Sequence, residues 1–319
     1  MGSFLGVDIS KATFHACVLT DRGEGAKAFP NSTNGFKQLS AWLKNRLAVD
    51  VHCCMEATGA YWEDLALYLH GLGHRVSVVN PARIKAFAQS ELLRTKTDAV
   101  DAALIARFCK SQIPPPWTPP QPEIRVLQAL VRHCEHLKTT RAQQIVYAQS
   151  TGSPTVITSS MRKLIATLDD QIAQVEREIE QHFNDHPDLK GRRDLLTSIP
   201  GIGNTTAALL LAEIPHIDLF TSAKAVAAYA GLSPRDRQSG TSIRGKSRLC
   251  KTGNARLRKG LYMPALSARR FNPVFKAFAE RLAAAGKHNM LILGAIMRKL
   301  LVLAFAILRS GKPFEPNHA

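Results

Sequence analysis

Residues 4–19, FLGVDISKATFHACVL, alternate apolar and polar side chains and then run into Asp21-Arg22-Gly23-Glu24-Gly25. The alternation is the two-residue period of a half-buried β-strand, and the polar, glycine-containing run is turn chemistry. The stretch therefore reads as a strand, a turn and a second strand. Asp8 stands inside the first strand, with Val7 and Ile9 facing the opposite side. A carboxylate beside an apolar strand face is expensive unless it is paired or binds a cation.

Downstream, strand and helix patterns alternate. Residues 34–47 carry Phe36, Leu39, Trp42, Leu43 and Leu47 at helical spacing, and residues 51–55 (VHCCM) read as a buried strand ending at Glu56. A helix over 61–72 with Leu65, Leu69 and Leu72 on one stripe follows, then a strand over 75–79 (RVSVV) closed by Asn80-Pro81. The next helix runs from about Asp98 to Lys110. This order predicts an α/β layered domain.

Residues 113–122 (IPPPWTPPQP) hold six prolines, which exclude a helix or central strand and predict an extended connector. A long helix is predicted over 123–150, broken at Gly152-Ser153-Pro154, and another over 160–183. In the latter, Leu164, Leu168, Ile172, Val175 and Ile179 form one stripe. That stripe suits an antiparallel helical hairpin, a coiled coil between subunits or a plain core helix. Helices are predicted over 222–230 and 253–269, and a C-terminal one ends near Arg309 before Gly311 and Pro313.

The formal net charge of the 319-residue chain is +17, from 42 Lys+Arg against 25 Asp+Glu. Such a surplus points to a polyanionic partner, nucleic acid before an anionic membrane. The six cysteines show no CxxC spacing and sit in apolar segments, as expected of reduced thiols in a cytoplasmic protein. No signal peptide is expected, because the N-terminus goes straight into a strand pattern. Residues 291–308 are very apolar, but Arg298 and Lys299 interrupt them, so a buried helix is expected and no membrane span.

Four acids stand out against this basic background: Asp8, Glu56, Asp98 and Asp101. Asp98 and Asp101 are three apart at a helix start and so share a face. If the two strands are adjacent and the helix packs across their ends, the four carboxylates converge. Cations must then neutralise them, and Mg²⁺ is the natural oxygen-loving partner. Two such ions roughly 4 Å apart suit phosphoryl transfer. For any one of these residues a plain surface role remains open, with Asp98 a candidate helix cap. A sugar-kinase-like start would require glycine-rich phosphate loops later, and none is found.

Ile199-Pro200-Gly201-Ile202-Gly203 lies between two helical segments and resembles a helix-hairpin-helix. Gly201 and Gly203 would let backbone N–H groups approach a phosphate, and Thr205 would add a hydroxyl. A tight interhelical turn without a ligand is the alternative. Residues 235–259 are the most basic stretch: Arg235, Arg237, Arg244, Lys246, Arg248, Lys251, Arg256, Arg258 and Lys259 against Asp236 alone. A basic, glycine-broken loop rich in hydroxyls suits phosphate binding. Either it only grips nucleic acid, or one of its hydroxyls is a nucleophile toward a DNA phosphate.

The segments GVDISK (6–11), MEATGAYW (55–62), NPARIKAFAQSE (80–91), RTKTDAVDAALIA (94–106), SIPGIG (198–203), AYAGLSPR (228–235) and QSGTSIRGKSRLCKTGNARLRKGLYMPA (238–265) occur in the order of one family. In them the chain resembles the DEDD-type insertion-sequence transposases, the bridge-RNA-guided serine recombinases of insertion-sequence family one-hundred-ten. The resemblance runs from about residue 4 to 314. It implies an α/β RNase H/RuvC-like N-terminal domain over 1–122 and a helical coiled-coil connector over 123–190. A mostly α C-terminal transposase domain over 191–319, with a helix-hairpin-helix-like element, would complete the chain.

By the same resemblance, Asp8, Glu56, Asp98 and Asp101 hold Mg²⁺, two ions per site, and Ser239 is the nucleophile that forms a covalent phosphoester with DNA. Ser242 and Ser247 remain alternatives should the register within the loop shift. The implied partners are donor and target DNA, a structured bridge RNA and further copies of the chain as a dimer or tetramer. The implied setting is the bacterial cytoplasm, at the nucleoid when bound to DNA. A metal-dependent DNA junction nuclease without a serine nucleophile is the alternative, and a non-catalytic nucleic-acid binder stands behind it.

Overall fold

The computed structural model describes residues 2–48, 50–57, 59–92, 97–150, 154–239 and 243–315, with the backbone alone over 236–239 and 243–247. The chain divides into two compact units, Met1–Pro119 and Pro120–Ala319.

The first unit is a five-stranded mixed sheet with helices on both faces. Its strands are β1 (Ser3–Ile9), β2 (Thr13–Thr20), β3 (Gly23–Pro30), β4 (Val51–Glu56) and β5 (Arg75–Val79), in the spatial order β3-β2-β1-β4-β5. β1, β2 and β3 pair antiparallel as a meander, whereas β4 and β5 run parallel to β1. Four helices accompany them: α1 (Thr33–Asn45), α2 (Glu63–Gly71), α3 (Pro81–Ser90) and α4 (Asp98–Gln112).

The two-residue period of the strands sorts their side chains between two cores. Leu5, Val7, Phe14, Val18, Cys53 and Met55 pack with Phe36, Leu39 and Leu43 of α1 and Leu65 and Leu69 of α2. The other face holds Cys54 and Val79 against Ile84 of α3 and Leu104, Ile105 and Phe108 of α4. There, Gly6 lets α4 lie directly on β1. A Cβ at position 6 would come within 2.2 Å of both the Ala102 carbonyl oxygen and the Ala106 nitrogen. Cys17, opposite Gly6 in the meander, packs on Ala102 and Ala106.

Two expectations need correction here. Residues 4–19 are not one strand but two, joined by a turn at Ser10-Lys11-Ala12. The Ser10 hydroxyl donates to the Thr13 carbonyl at 2.7 Å, and a serine of this kind reads as an ordinary polar strand position in sequence. The start of the proline segment is also no free connector. It runs back along β5, where Trp117 N–H donates to the Val76 carbonyl at 2.6 Å and the Trp117 ring meets Trp62 edge-on.

The second unit is mostly helical. It contains α5 (Pro122–Ser150), α6 (Thr155–Asp185), α7 (Pro187–Thr197), α8 (Asn204–Glu213), α9 (Ala223–Tyr229), α10 (Ala255–Gly260), α11 (Tyr262–Phe271), α12 (Pro273–Ala284) and α13 (Asn289–Ser310). Between α9 and α10 lies a two-stranded antiparallel ribbon, β6 (Pro234–Ser239) and β7 (Ile243–Leu249). The expected connector over 123–190 and the expected transposase segment over 191–319 both fall in this unit.

α5 and α6 form an antiparallel hairpin. Leu168 and Ile172 of the predicted stripe pack on Cys134 and Leu137, and Lys138–Glu176 and Arg141–Asp169 ion pairs bridge the two helices. α13 is the one helix among the described residues long and apolar enough to cross a membrane, but over half of it is buried inside this unit. Ile292, Ile296, Leu300 and Leu301 are its most enclosed positions.

The cysteines form no disulfide, and all but Cys250 are buried. Burial, followed by the nearby Glu24 carboxylate, pushes the Cys17 thiol up to about 12, and burial raises Cys53 as well. Such thiols are unreactive packing groups.

Candidate functional site

Asp8 and Glu56 are neighbours on adjacent strands. β1 and β4 pair in parallel with Val7 opposite Met55, so Asp8 and Glu56 are the next residues along each. Equal register in a parallel pair puts both side chains on one face. It is the face that carries Gly6 and Cys54, and therefore α4.

α4 runs antiparallel to β1 across that face. Its Ala102 and Ala106 sit on Gly6, and its far end reaches His52, whose carbonyl accepts from the Cys109 thiol at 3.3 Å. Asp98 lies one turn before Ala102, so the acid-bearing N-terminus of α4 is carried toward the Asp8 end of β1. The contact between His15 Nε2 and an Asp98 oxygen at 3.7 Å fits this placement, because His15 is the residue opposite Asp8 on β2. Asp98 is exposed, whereas Asp8, Glu56 and Asp101 are half-buried. The start of α4 favours carboxylates, since its unpaired N–H groups form the positive end of the helix dipole.

The cap of that helix is Thr97, whose hydroxyl accepts from Val100 N–H at 3.3 Å. Asp98 is thus the first helical residue and not the cap, which leaves its carboxylate free of a capping role.

The backbone therefore gathers the positions of all four acids at one end of one sheet face. Their side chains do not close into a ligand set: among the described residues, no three His, Cys, Asp or Glu side chains come together closely enough to hold a metal ion. Like charges held close repel one another, and Asp98 turns instead to His15. The donor chemistry still fits a hard divalent cation. All four groups offer carboxylate oxygens on short or two-carbon arms from rigid elements.

His15 and Gly6 were not singled out in the sequence reading. The signal for His15 was its place opposite Asp8 across a tight turn, a turn that lacks glycine and proline and so escaped the reading of 4–19. Gly6 interrupts an otherwise bulky strand, and a glycine there marks a close approach by another backbone.

In the second unit, the Ile199–Gly203 segment is a turn between α7 and α8. Gly201 has φ +108°, and a Cβ there would lie 2.9 Å from the backbone nitrogen of Ala268 in α11. This glycine is thus required by the turn and by packing. Gly203 and Thr205 are exposed at the start of α8, whose N-terminus has no side-chain cap.

Within the basic stretch 235–259, residues 235–239 and 243–249 are not loop but the two strands of the β6–β7 ribbon. Arg235 pairs with Arg248, Arg237 with Gly245 and Ser239 with Ile243, with a bulge between Arg235 and Arg237. Glycines and charges weaken a strand prediction, yet cross-strand pairing outweighs them here. Arg235, Arg248 and Lys251 are exposed. The side chains of Arg237, Ser239, Arg244, Lys246 and Ser247 lie outside the described residues, as does Ser242 altogether.

Residues 5–151 match the family model of the DEDD-type IS110 transposases, described as "Transposase". Residues 193–280 match a second model, described as "Transposase IS116/IS110/IS902 family". The chain belongs to this family. As a transposase it cuts and rejoins DNA, and its DEDD-type domain implies dependence on a divalent metal ion.

Full-length relatives agree with the assignment. The chain is 38% identical over 317 residues to the "Pilin gene-inverting protein" of Moraxella lacunata, covering 98% of each chain, and equally similar to that of Moraxella bovis. It is 26% identical over 356 aligned positions to the "Transposase for insertion sequence element IS1328" of Yersinia enterocolitica, again covering 98% of each. The acids fall within the first family match, and the basic ribbon with Ser239 falls within the second.

Proposed function

We propose that this transposase breaks and rejoins DNA through a covalent phosphoserine intermediate, using a carboxylate site in the first unit and Ser239 of the β6–β7 ribbon in the second. The observation that carries the reading is the co-registration of Asp8 and Glu56 on neighbouring parallel strands, beneath the helix that brings Asp98 and Asp101. The strand order β3-β2-β1-β4-β5 supports an RNase H/RuvC-like assignment for this unit.

Asp8, Glu56, Asp98 and Asp101 are the residues that would hold Mg²⁺, two ions per site. Bound there, the metal supplies Lewis-acid stabilisation of charge on a phosphate undergoing displacement. The chain's own groups do the rest. The Ser239 hydroxyl gives its proton to solvent water as its oxygen bonds to phosphorus. The phosphorus–oxygen bond to deoxyribose breaks, and the leaving oxygen takes a proton from solvent water to become a free hydroxyl. Attack by a second strand's hydroxyl reverses these steps, so the phosphoester bond is conserved and no nucleotide hydrolysis is needed.

Arg235, Arg237, Arg244, Lys246, Arg248 and Lys251 bind the backbone phosphates around the reacting one. Gly203 and Thr205, at the uncapped start of α8, add a further phosphate contact, with Gly201 shaping the turn. A structured bridge RNA pairs with donor and target DNA and supplies sequence choice, which fits a protein whose charge is spread over phosphate-binding residues. Several copies of the chain assemble as a dimer or tetramer. The setting is the bacterial cytoplasm, at the nucleoid when the protein is on DNA.

The product of rejoining can be an insertion or an inversion. The names of the Moraxella relatives, at 38% identity over nearly the whole chain, favour inversion of a DNA segment as a second outcome of the same chemistry.

Two variants test the reading against its alternative. Ser239→Ala is expected to lose recombination and the protein–DNA conjugate, whereas a simple metal-dependent junction nuclease would keep cutting. Asp8→Asn is expected to lose both cutting and joining while retaining DNA binding. Cleavage by Ser239→Ala at the wild-type rate would remove the serine from the mechanism.

A further inference from the structure

The ribbon that carries Ser239 and the arginines is fixed to its unit at its root. Cys250 N–H donates to the Ser233 carbonyl at 2.9 Å and Lys251 N–H to the Gly231 carbonyl at 3.1 Å. The two chain segments are packed backbone to backbone. A Cβ on Gly253, whose φ is +138°, would come within 2.3 Å of the Tyr229 carbonyl oxygen. Arg258 Nη1 ties both sides, donating to the Ala230 carbonyl at 2.9 Å and the Gly253 carbonyl at 3.2 Å.

Beneath this root lies Glu213, the last residue of α8, only 3% exposed. One carboxylate oxygen accepts from Arg132 Nε of α5 at 2.9 Å, with Arg256 Nη1 of α10 at 3.9 Å from the same atom. The other accepts from Asn254 Nδ2 at 2.8 Å. Asn254 in turn caps α10 through its side-chain oxygen, accepting from Arg256 N–H at 2.9 Å and Leu257 N–H at 3.1 Å. Its backbone N–H donates to the Tyr229 carbonyl at 2.7 Å, and the Tyr229 hydroxyl donates back to the Glu213 carbonyl at 3.2 Å.

A buried carboxylate is a poor way to gain stability alone. An apolar residue of similar size would avoid the desolvation cost, whereas an ion network ties its partners to one geometry. Here the partners come from α5, α9 and α10 and meet at Glu213 at the end of α8, and Asn254, the cap of α10, links that carboxylate to Tyr229 beside the ribbon root. The network therefore ties the buried carboxylate to Asn254, whose backbone N–H bonds the Tyr229 carbonyl next to the ribbon root.

We propose that Glu213 is a positioning residue for strand transfer, acting through Asn254 to hold the root of the β6–β7 ribbon in the orientation its chemistry requires. The inference rests on the reading that this ribbon carries the reacting hydroxyl. A displacement of about 1 Å at reacting atoms can cost on the order of 100-fold in rate, so loosening the mount shows in the chemical step before it shows in binding.

The test uses the full chain, expressed in bacteria with its own element on a plasmid. Junction formation is measured by quantitative amplification, and affinity for a generic duplex and the thermal midpoint are measured on the purified protein. Asn254→Ser keeps a good helix cap but loses the donor to Glu213, and Asn254→Asp sets two carboxylates against each other. Each is expected to lower recombination roughly 10- to 100-fold, at a temperature where the variant is folded and binds the duplex within about threefold of wild type. Glu213→Gln combined with Asn254→Asp restores an N–H···O bond between the two side chains with its direction reversed. This double variant is expected to recover most of the loss.

Wild-type recombination in folded Asn254→Ser and Asn254→Asp would overturn the proposal. So would a double variant no better than Asn254→Asp. Ser239→Ala, run alongside, keeps the two readings apart. An active Ser239→Ala with inactive Asn254 variants would overturn the serine assignment, and the mount itself would stand.

Discussion

Replacing Gly6 by alanine tests how the carboxylate site is assembled without touching any acid. The added Cβ would lie 2.2 Å from the Ala102 oxygen and the Ala106 nitrogen and 2.8 Å from the Ala106 Cα, whereas ordinary contact begins at 3.4 Å. These are backbone atoms of α4 and cannot swing aside as a side chain would. The helix must therefore lift by about 1 Å, carrying Asp98 and Asp101 away from Asp8 and Glu56. Overpacking of this kind costs about 1–3 kcal/mol. For a unit of this size, each kcal/mol lowers the midpoint by roughly 4 °C or more.

The same shift at reacting atoms should reduce recombination on the order of 100-fold. Thermal unfolding of the purified chain and junction formation from a plasmid-borne element measure the two effects. Gly25→Ala is the control, because the three atoms nearest its Cβ would all belong to the Arg46 guanidinium, the far end of a side chain that can move away. A Gly6→Ala protein with the midpoint and recombination rate of wild type would refute the reasoning, as would equal damage from Gly25→Ala.

Further expectations concern single groups. Asp101→Asn should reduce recombination to background while DNA binding persists, read by junction amplification beside a duplex-binding titration; normal recombination would count against the carboxylate site. Arg248→Ala, at an exposed ribbon position, should lower the slope of log affinity against log salt by about 0.9 if it meets one phosphate, and an unchanged slope would place it off the DNA. Stability of the first unit should fall in mild acid. Burial, and then the Arg75 charge, lower the pKa of His52 from its ordinary 6.5. The Ser77 hydroxyl donates to the proline carbonyls at 114 or 115, so the His52 Nε2 at 2.8 Å is the donor to Ser77, while Nδ1 has no hydrogen-bond partner. A pKa depressed by folding means that the unfolded chain binds the proton first. The contribution is therefore complete above pH 6.5 and is lost as pH falls from there toward the depressed folded value. His52→Gln should flatten that part of the denaturation profile, and an unaltered slope would mean that His52 does not cause it.

Much of the first unit was legible because its strands obey one simple period. β4, β5, α1 and α4 fall within a few residues of where the short apolar runs and helical stripes put them. The turn at 10–12 was hidden because serine, lysine and alanine include no glycine or proline to punctuate the chain. The helix α3 was missed because Asn80-Pro81 reads as a strand end, although Asn80 caps α3 and Pro81 begins it. In the second unit, the ribbon escaped because its stability comes from cross-strand pairing and a buried root, neither of which is local. Of the candidate site, the acids were visible as charges out of place on apolar elements. Glu213 was not, because an acid at the end of an alanine- and leucine-rich helix looks like a solvated terminus until Arg132, from a helix far upstream in sequence, is seen to close over it.

The most direct test of the account is to quench a recombination reaction in denaturant, digest the protein and map the residue that remains covalently joined to DNA. A phosphodiester-linked peptide containing Ser239 is expected, present in wild type and absent from Asp101→Asn. A conjugate at a different residue, or efficient recombination with no conjugate trapped at any time, would contradict it.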